Sequence, residues 1–269
     1  MVSLKVKIRF TETAQQNADS YYQRAKKLAQ KKEGAKKAVA ELKARLEKHR
    51  QEREEAKAKE EKENKAVMKQ KKEWYEKFHW SFTRDGMLVI GGKDAHQNEL
   101  INAKHFEDDD LFFHADIFGA SVVVLKDGTK TGKEIREEVA QFAACYSSAW
   151  KDNLHTVDVY AMRRDQVSKS KSKGTLGTGS FLLSGEREWY RNMSLELVMY
   201  AKDGKLVSES MLAYTRRGEK DRISPYIRVT QGKEKKSDAA KMVAKVLSYD
   251  DLDSIMQQLP TGSFHITGR

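Results

Sequence analysis

The stretch HWSFTRDGMLVIGGKDAHQNELINAKH, residues 79–105, decides how the chain is organised. Two short apolar runs, 79–82 and 87–90, flank Arg84-Asp85-Gly86, and an Asp-Gly pair between such runs predicts a β-hairpin. Gly91 and Gly92 then lead to Asp94, which with Gln97 has the capping-box spacing for a helix that carries Asn98 and runs to about His105. Downstream, strand-like runs at 111–114 and 121–125 precede Thr131 and Glu134, which repeat the capping-box spacing. They open a helix whose apolar face includes Ile135, Val139, Phe142, Ala143 and Tyr146. Runs at 157–162, 180–183, 195–201 and 205–214 read as strands, the last two joined by Asp203-Gly204, and helices follow at 237–247 and 252–259. Residues 79–269 therefore form a mixed α and β domain, and the fold class is α+β.

Upstream of residue 79 the composition changes. Residues 24–73 hold 19 Lys and Arg against 10 Asp and Glu, whereas 74–269 hold 29 against 28, so most of the formal net charge of +11 sits on one segment. That segment has no Pro and a single Gly, Gly34, and consists of strong helix formers. Residues 11–78 read as one helix, roughly 100 Å long if unbroken. Its heptad seam runs through Val39, Leu42, Leu46, His49, Arg53, Ala56, Glu60, Glu63, Val67, Gln70 and Trp74, apolar at the ends and polar in the middle. A self-sufficient parallel dimer would bury Arg53, Glu60 and Glu63, so two readings fit better: a solvated helix held by ion pairs, or an arm that borrows a partner helix. Ahead of it, Val2, Leu4, Val6, Ile8 and Phe10 alternate with polar residues, which predicts a half-buried strand in need of a partner. The domains expected are thus 1–78 (short strand plus basic helical arm) and 79–269.

One cysteine, Cys145, excludes an intrachain disulfide framework and a multi-cysteine zinc site, and the chain reads as intracellular and cytoplasmic. No secretory signal and no membrane span are expected. Cys145 sits among Ala143, Ala144 and Tyr146 and reads as a packing residue. Neither Ser147 nor Ser148 lies in a Gly-x-Ser-x-Gly elbow, and the glycines at 174, 177 and 179 lack the ending of a phosphate-binding loop.

His114 and Asp116, two apart in an extended segment, project to one face. They either lock a strand end beside Gly119 or serve as a metal-ligand or acid–base pair; no third ligand is specified. Basic clusters carry more. Arg163, Arg164, Lys169, Lys171 and Lys173 are opposed only by Asp165 and interleaved with serines, a pattern suited to a phosphate backbone. Residues 216–236 hold eight basic against three acidic residues, and Trp189 and Tyr190 adjoin Arg187 and Arg191 in a pattern that could stack on unpaired bases.

Five segments, WSFTRDGMLVIGGKDAHQNE (80–99), HADIFGASVVV (114–124), AACYSSAW (143–150), QVSK (166–169) and GTGSF (177–181), resemble in order the NFACT-R domain of the NFACT ribosome quality-control factors. Asn17 and Tyr21-Tyr22 resemble the start of that family's second coiled-coil helix, and GEREWYRN (185–192) is most similar to archaeal members. The resemblance implies a non-catalytic, cofactor-free RNA-binding module whose partners are tRNA and a large ribosomal subunit obstructed by peptidyl-tRNA. Phosphate contacts would come from Lys93, Arg163, Arg164, Lys169, Lys171, Lys173 and Arg191. Gly91, Gly92, Asp94, Gln97, Asn98, His114, Asp116, Gly119 and Ser121 are motif residues whose roles stay open. Family members carry an NFACT-N half with the first coiled-coil helix, and residues 1–269 hold no such half. The expected partner for the arm is therefore an NFACT-N-containing chain or a second copy, and C-terminal tailing is not expected of this polypeptide alone. A metal-dependent enzyme built on His114 and Asp116 and a coiled-coil adaptor are the competing readings.

Overall fold

In the computed structural model, which describes residues 6–68, 73–168 and 177–268, the turn at Asp85-Gly86 closes an antiparallel hairpin. Its strands are β1 (His79–Phe82) and β2 (Leu88–Gly91), and Gly86 adopts φ +83°, a left-handed conformation that side chains resist. The chain continues through α2 (Ala95–Lys104), β3 (Leu111–Ala115), β4 (Val123–Leu125), α3 (Lys133–Cys145), α4 (Ser148–Lys151) and β5 (Thr156–Arg163). A two-stranded pair, β6 (Val167–Ser168) with β7 (Leu182–Leu183), precedes β8 (Glu188–Ser194). The first sheet has the antiparallel order β1-β2-β4-β3-β5-β8. A second antiparallel sheet, β10-β9-β11-β12, uses β9 (Leu197–Lys202), β10 (Lys205–Ser210), β11 (Tyr226–Glu234) and β12 (Phe264–Gly268). Helix α5 (Met211–Arg216) follows β10, and α6 (Lys236–Leu247) and α7 (Leu252–Gln258) lie between β11 and β12.

Strand alternation divides the apolar residues between two layers. Leu111, Phe113 and Ala115 of β3 join Val123, Val159 and Ala161 in a core filled by the apolar face of α3, with Ile135, Val139, Phe142, Ala143 and Tyr146 all buried as expected. Leu197, Met199, Ile227 and Val229 of the second sheet complete that core together with Val243 and Ile255 of α6 and α7. On the opposite face, Phe112, Val124, Tyr160 and Met162 pack beneath Ile101 of α2 and Phe78. Cys145 is fully buried, and burial pushes its thiol up, away from reactivity.

Several expected elements differ. The run at 205–214 is a strand only to Ser210, whose hydroxyl accepts from the Ala213 N–H and starts α5. Helix α3 is not capped by Thr131: its N-cap is Gly132, while the Thr131 hydroxyl donates to the Gly128 carbonyl at 2.6 Å and Glu134 pairs with Arg84. Strands β8, β11 and β12 carry no continuous apolar run, which hid them. In β11 only Ile227 and Val229 are fully buried, while Arg228 is exposed and Thr230 half-buried.

The chain divides into two compact units, Met1–Gln70 and Lys71–Arg269. The first is helix α1 (Ala14–Met68), opened by a reciprocal box in which the Gln16 N–H donates to the Thr13 hydroxyl and the Thr13 N–H to the Gln16 side chain. Asn17 is buried here because its amide accepts from the Arg9 N–H at 2.8 Å and donates to the carbonyls of Arg9, Glu12 and Thr13; the Tyr21 hydroxyl donates to the Lys7 carbonyl. Residues 6–10 form no strand: Val6, Ile8 and Phe10 are exposed and the segment is folded back by Asn17 and Tyr21. Residues 2 and 4 of that expectation, and Gln70 of the seam, lie outside the described residues. Val39, Leu42 and Leu46 are exposed, and the side chains of Ala56, Glu60, Glu63 and Val67 lie outside the description. The expected helix to residue 78 ends sooner. Residues 74–77 form turns, because Tyr75 packs against Trp80 and Phe82 and Phe78 is fully buried in the second unit. Among the described residues no helix is long and apolar enough to cross a membrane.

Phe113→Ala should destabilise the second unit by about 3–5 kcal/mol in urea denaturation, because it empties the centre of the core. Phe10→Ala, at a site 94% exposed, should change stability by less than about 0.5 kcal/mol.

Candidate functional site

The β2–α2 and β3–β4 connections meet in a hydrogen-bonded knot. The Gly92 N–H donates to the Val122 carbonyl at 3.0 Å, and the Val122 N–H donates to Asn98 Oδ1 at 3.0 Å. A Cβ on residue 92 would lie 2.1 Å from Asn98 Oδ1, so glycine is required there. Gly91, one residue earlier, sits on β2 where a Cβ would press on Val123 at 3.2 Å. Asp94 caps α2 by accepting from the Gln97 N–H at 2.8 Å, while the Gln97 side chain accepts from the Lys93 N–H and donates to the Lys77 carbonyl. The capping box is thus present with its return arm shifted by one residue, onto Lys93.

The knot shapes a cleft of about 460 Å³ between the start of α2 and the loop that follows β3. Gly92, Lys93, Asp94, Asn98, His114, Gly119 and Ser121 line it, so most of the motif residues converge on one place. Its wall is aromatic, made by Phe112, Tyr160 and Phe181, and its far rim is Thr178, Gly179 and Ser180. Gly179 is held against α2 by its N–H donating to Glu99 at 3.1 Å. A second cleft of about 570 Å³ lies on the other side of the loop, bounded by His79, Tyr146, Ser147, Ser148 and Lys151; Lys93, Ile117, Phe118, Gly119 and Ser121 line both clefts.

His114 is oriented by aromatic neighbours. Its ring stacks on Phe112, and its Nδ1 lies 3.3 Å from the Tyr160 hydroxyl. Burial pulls its pKa below the ordinary imidazole value, against hydrogen bonds to the backbone at Ala115 and Ala120, which keeps the ring neutral. Asp116 lies past the end of β3, and its carboxylate faces the Arg187 guanidinium at 3.9 Å. The two side chains therefore have different partners. Among the described residues no group of three or more His, Cys, Asp and Glu could hold a metal ion.

The basic residues are dispersed. Lys93 is at the cleft, its Nζ 3.4 Å from Gln257 Oε1. Arg163 lines a separate polar cleft of about 630 Å³ with Asp108, Asp109, Arg136 and Arg187. Arg164 donates to the Val167 carbonyl and covers the Phe106 ring; Arg191 pairs with Asp158 at 2.6 Å and covers Trp189 at 4.0 Å. Lys169, Lys171 and Lys173 lie outside the described residues. Tyr190 is buried and donates to Glu188, so it offers no ring to a ligand. Arg216 and Arg217 of the second cluster are bound to Glu137, Glu138 and Glu209, and Arg228 to Glu196.

A family model described as the NFACT protein RNA binding domain matches residues 77–185, which hold the knot and the loops of both clefts. This segment is an NFACT-R domain. It is homologous to ribosome quality-control factors over part of their length. The chain is 44% identical over 135 residues to the archaeal Rqc2 homolog aRqcH of Methanocaldococcus jannaschii, a match covering 49% of this chain and 20% of that protein. It is 35% identical over 164 residues to the ribosome quality control complex subunit NEMF homolog of Drosophila melanogaster (58% and 16%). Against the human ribosome quality control complex subunit NEMF the identity is 36% over 121 residues (43% and 11%). The chain spans a fifth or less of the length of these relatives.

What the sequence reading of the NFACT-R segment missed is Phe118 and the aromatic wall. The signal for Phe118 was available: a large apolar side chain between Asp116 and Gly119, in a turn where a polar residue is ordinary.

The knot predicts non-additive energetics. Asn98→Ala leaves the Val122 N–H without its acceptor and should cost about 1–3 kcal/mol. Gly92→Ala should cost a similar ~1–3 kcal/mol by overpacking. In a denaturation cycle the double variant should lose less than the sum, since the clashing Asn98 side chain is gone and only the 2.9 Å approach to the Asn98 backbone N remains. A second prediction concerns His79, buried and stacked on Tyr146 at 3.9 Å, whose pKa burial drives well below the usual value, with Lys93 and Lys236 adding to it. The unfolded chain then binds the proton more readily than the folded one. The contribution is full above the unfolded value of about 6.5 and is lost as pH falls below it. Urea midpoints measured down to about pH 5 should therefore fall more for the wild type than for His79→Gln.

Proposed function

We propose that this chain binds RNA as a module of a ribosome quality-control factor, engaging tRNA and ribosomal RNA on large subunits that still carry peptidyl-tRNA. The observation that carries the reading is the convergence of the NFACT-R motif segments on the clefts beside Lys93. The relatives bear the name of ribosome quality control complex subunits, which supports the choice of ribosome-bound RNA and a cytoplasmic setting. Lys93 and Arg163 supply phosphate contacts, and the serine- and lysine-rich residues 168–173 add others. Arg164 and Arg191 hold Phe106 and Trp189 in place and act on RNA through that packing.

No catalytic role is assigned. The neutral His114 presents a hydrogen-bonding edge beside Tyr160 rather than a base paired with a carboxylate. The exposed Val39, Leu42 and Leu46 give α1 a seam for a second helix, from an NFACT-N-containing partner chain or a second copy. The exposed cations of that arm would add affinity of the kind that salt screens.

Binding to tRNA and to purified large subunits, measured by fluorescence anisotropy, should weaken steeply between about 50 and 200 mM salt. Lys93→Ala and Arg163→Ala should each lower the slope of log affinity against log salt by about 0.7–0.9, the signature of one lost phosphate contact. No binding at low salt would overturn the reading.

A further inference from the structure

Resting on the RNA-binding reading above, we propose that Phe118 is a stacking platform for an unpaired nucleobase, so that this site takes looped or single-stranded RNA in preference to a closed duplex. Phe118 is 99% exposed, yet the loop that carries it is fastened on both sides. Before it, the Ile117 N–H donates to the Ala115 carbonyl at 2.8 Å and the Asp116 N–H to the Asp158 carbonyl at 2.8 Å. Its own carbonyl accepts from the Ser148 hydroxyl at 2.7 Å. After it, Gly119 takes φ +83° and the Ser121 N–H donates to the Tyr146 carbonyl at 3.1 Å. The backbone is already ordered, so a ligand meeting the ring does not bear that entropic cost.

The other aromatic rings near the clefts are engaged. Trp189 is covered by Arg191, Tyr160 by Arg187 at 4.5 Å, Phe112 stacks on His114, Tyr146 stacks on His79, and Phe181 is half-buried in edge contact with Phe112. Phe118, 99% exposed, is the most open of these rings, and it stands between the two clefts. On one side are His114, Ser121, Thr178 and Ser180, groups able to hydrogen-bond a base edge; on the other are Ser147, Ser148 and Lys151. Lys93 borders both, placing a cation where the strand's phosphates would pass.

This setting favours a nucleobase over an apolar protein partner. A protein contact that buries a phenyl ring surrounds it with further apolar surface, whereas this one stands between an aromatic wall of Phe112, Tyr160 and Phe181 on one side and hydroxyls, Lys151 and Asp152 on the other. A base offers a π-face and hydrogen-bonding edges together, and only an unpaired base has both free.

The test uses the full chain and an RNA hairpin carrying 2-aminopurine in its single-stranded loop, with a blunt RNA duplex as the comparison. Wild type should bind the hairpin with quenching of the 2-aminopurine. Phe118→Ala should lose roughly tenfold in hairpin affinity together with the quenching, and leave duplex binding and thermal stability unchanged. Phe118→Trp should restore both signals and Phe118→Leu neither. Hairpin binding by Phe118→Ala or Phe118→Leu equal to wild type would overturn the proposal while leaving RNA binding intact, and so would an equal loss on the duplex. If the wild type binds neither RNA, the RNA-binding reading fails and the proposal falls with it.

Discussion

The hydrogen bond from the Val122 N–H to Asn98 Oδ1 is the constraint on which the site depends. It ties the body of α2 to the entry of β4, and it exists only because residue 92 has no side chain to occupy the same space. Once that contact is made, the Gly92 N–H reaches the Val122 carbonyl, Asp94 is left at the helix start, and Lys93 is turned toward the loop after β3. The loop is fastened independently, by Ser148 and Tyr146 at the end of α3 and the start of α4. Two elements distant in sequence thus set the two banks of one cleft, and neither bank has to be held by a ligand.

The bank at α3 is firm because the helix is a shared wall. Its apolar face fills the space between the two sheets, and its polar side carries Glu138, buried at its carboxylate and approached by Arg84 and Arg216 at 3.6 Å each. Burial pushes the Glu138 carboxyl up, against both guanidinium groups. Glu209, also raised by burial, is held bidentately by Arg217. Paired charges of this kind cost much to break and add little net stability when intact. Their effect on the surface is direct: arginines that a sequence count assigns to a basic patch are already spent on internal carboxylates.

That explains what the sequence could and could not reveal. The hairpin at Asp85-Gly86, the cap at Asp94 and the apolar face of α3 depend on neighbours within a few residues, and were legible. Strands β8, β11 and β12 were not, because each presents one apolar side and owes its pairing to partners far along the chain. The end of the arm was misjudged for the same reason: helix propensity favours continuing through Tyr75 and Phe78, and tertiary burial of those two rings prevails. At the site, motif glycines were legible as positions of close approach. Ring availability was not, since whether Trp189 or Phe118 is free depends on where Arg191 and Arg187 come to rest.

Charge and shape therefore divide the work of recognition in the proposed complex. Residues 74–269 are nearly neutral, with 29 basic against 28 acidic residues, so their long-range field is weak. In that complex the arm, where the surplus sits, would draw in the RNA strand by an attraction that fades within about 8 Å at physiological salt. Selection among strands must then come from contacts that act at van der Waals range: a ring with open faces, hydroxyls around it and one or two cations beside it. A domain built that way discriminates by whether a base is exposed, a property of RNA conformation more than of RNA sequence. Such a reader suits a particle recognised by its state, and it needs the rigidity that Ser148 and Tyr146 give the Phe118 loop, because a stacking ring displaced by an ångström no longer meets the base.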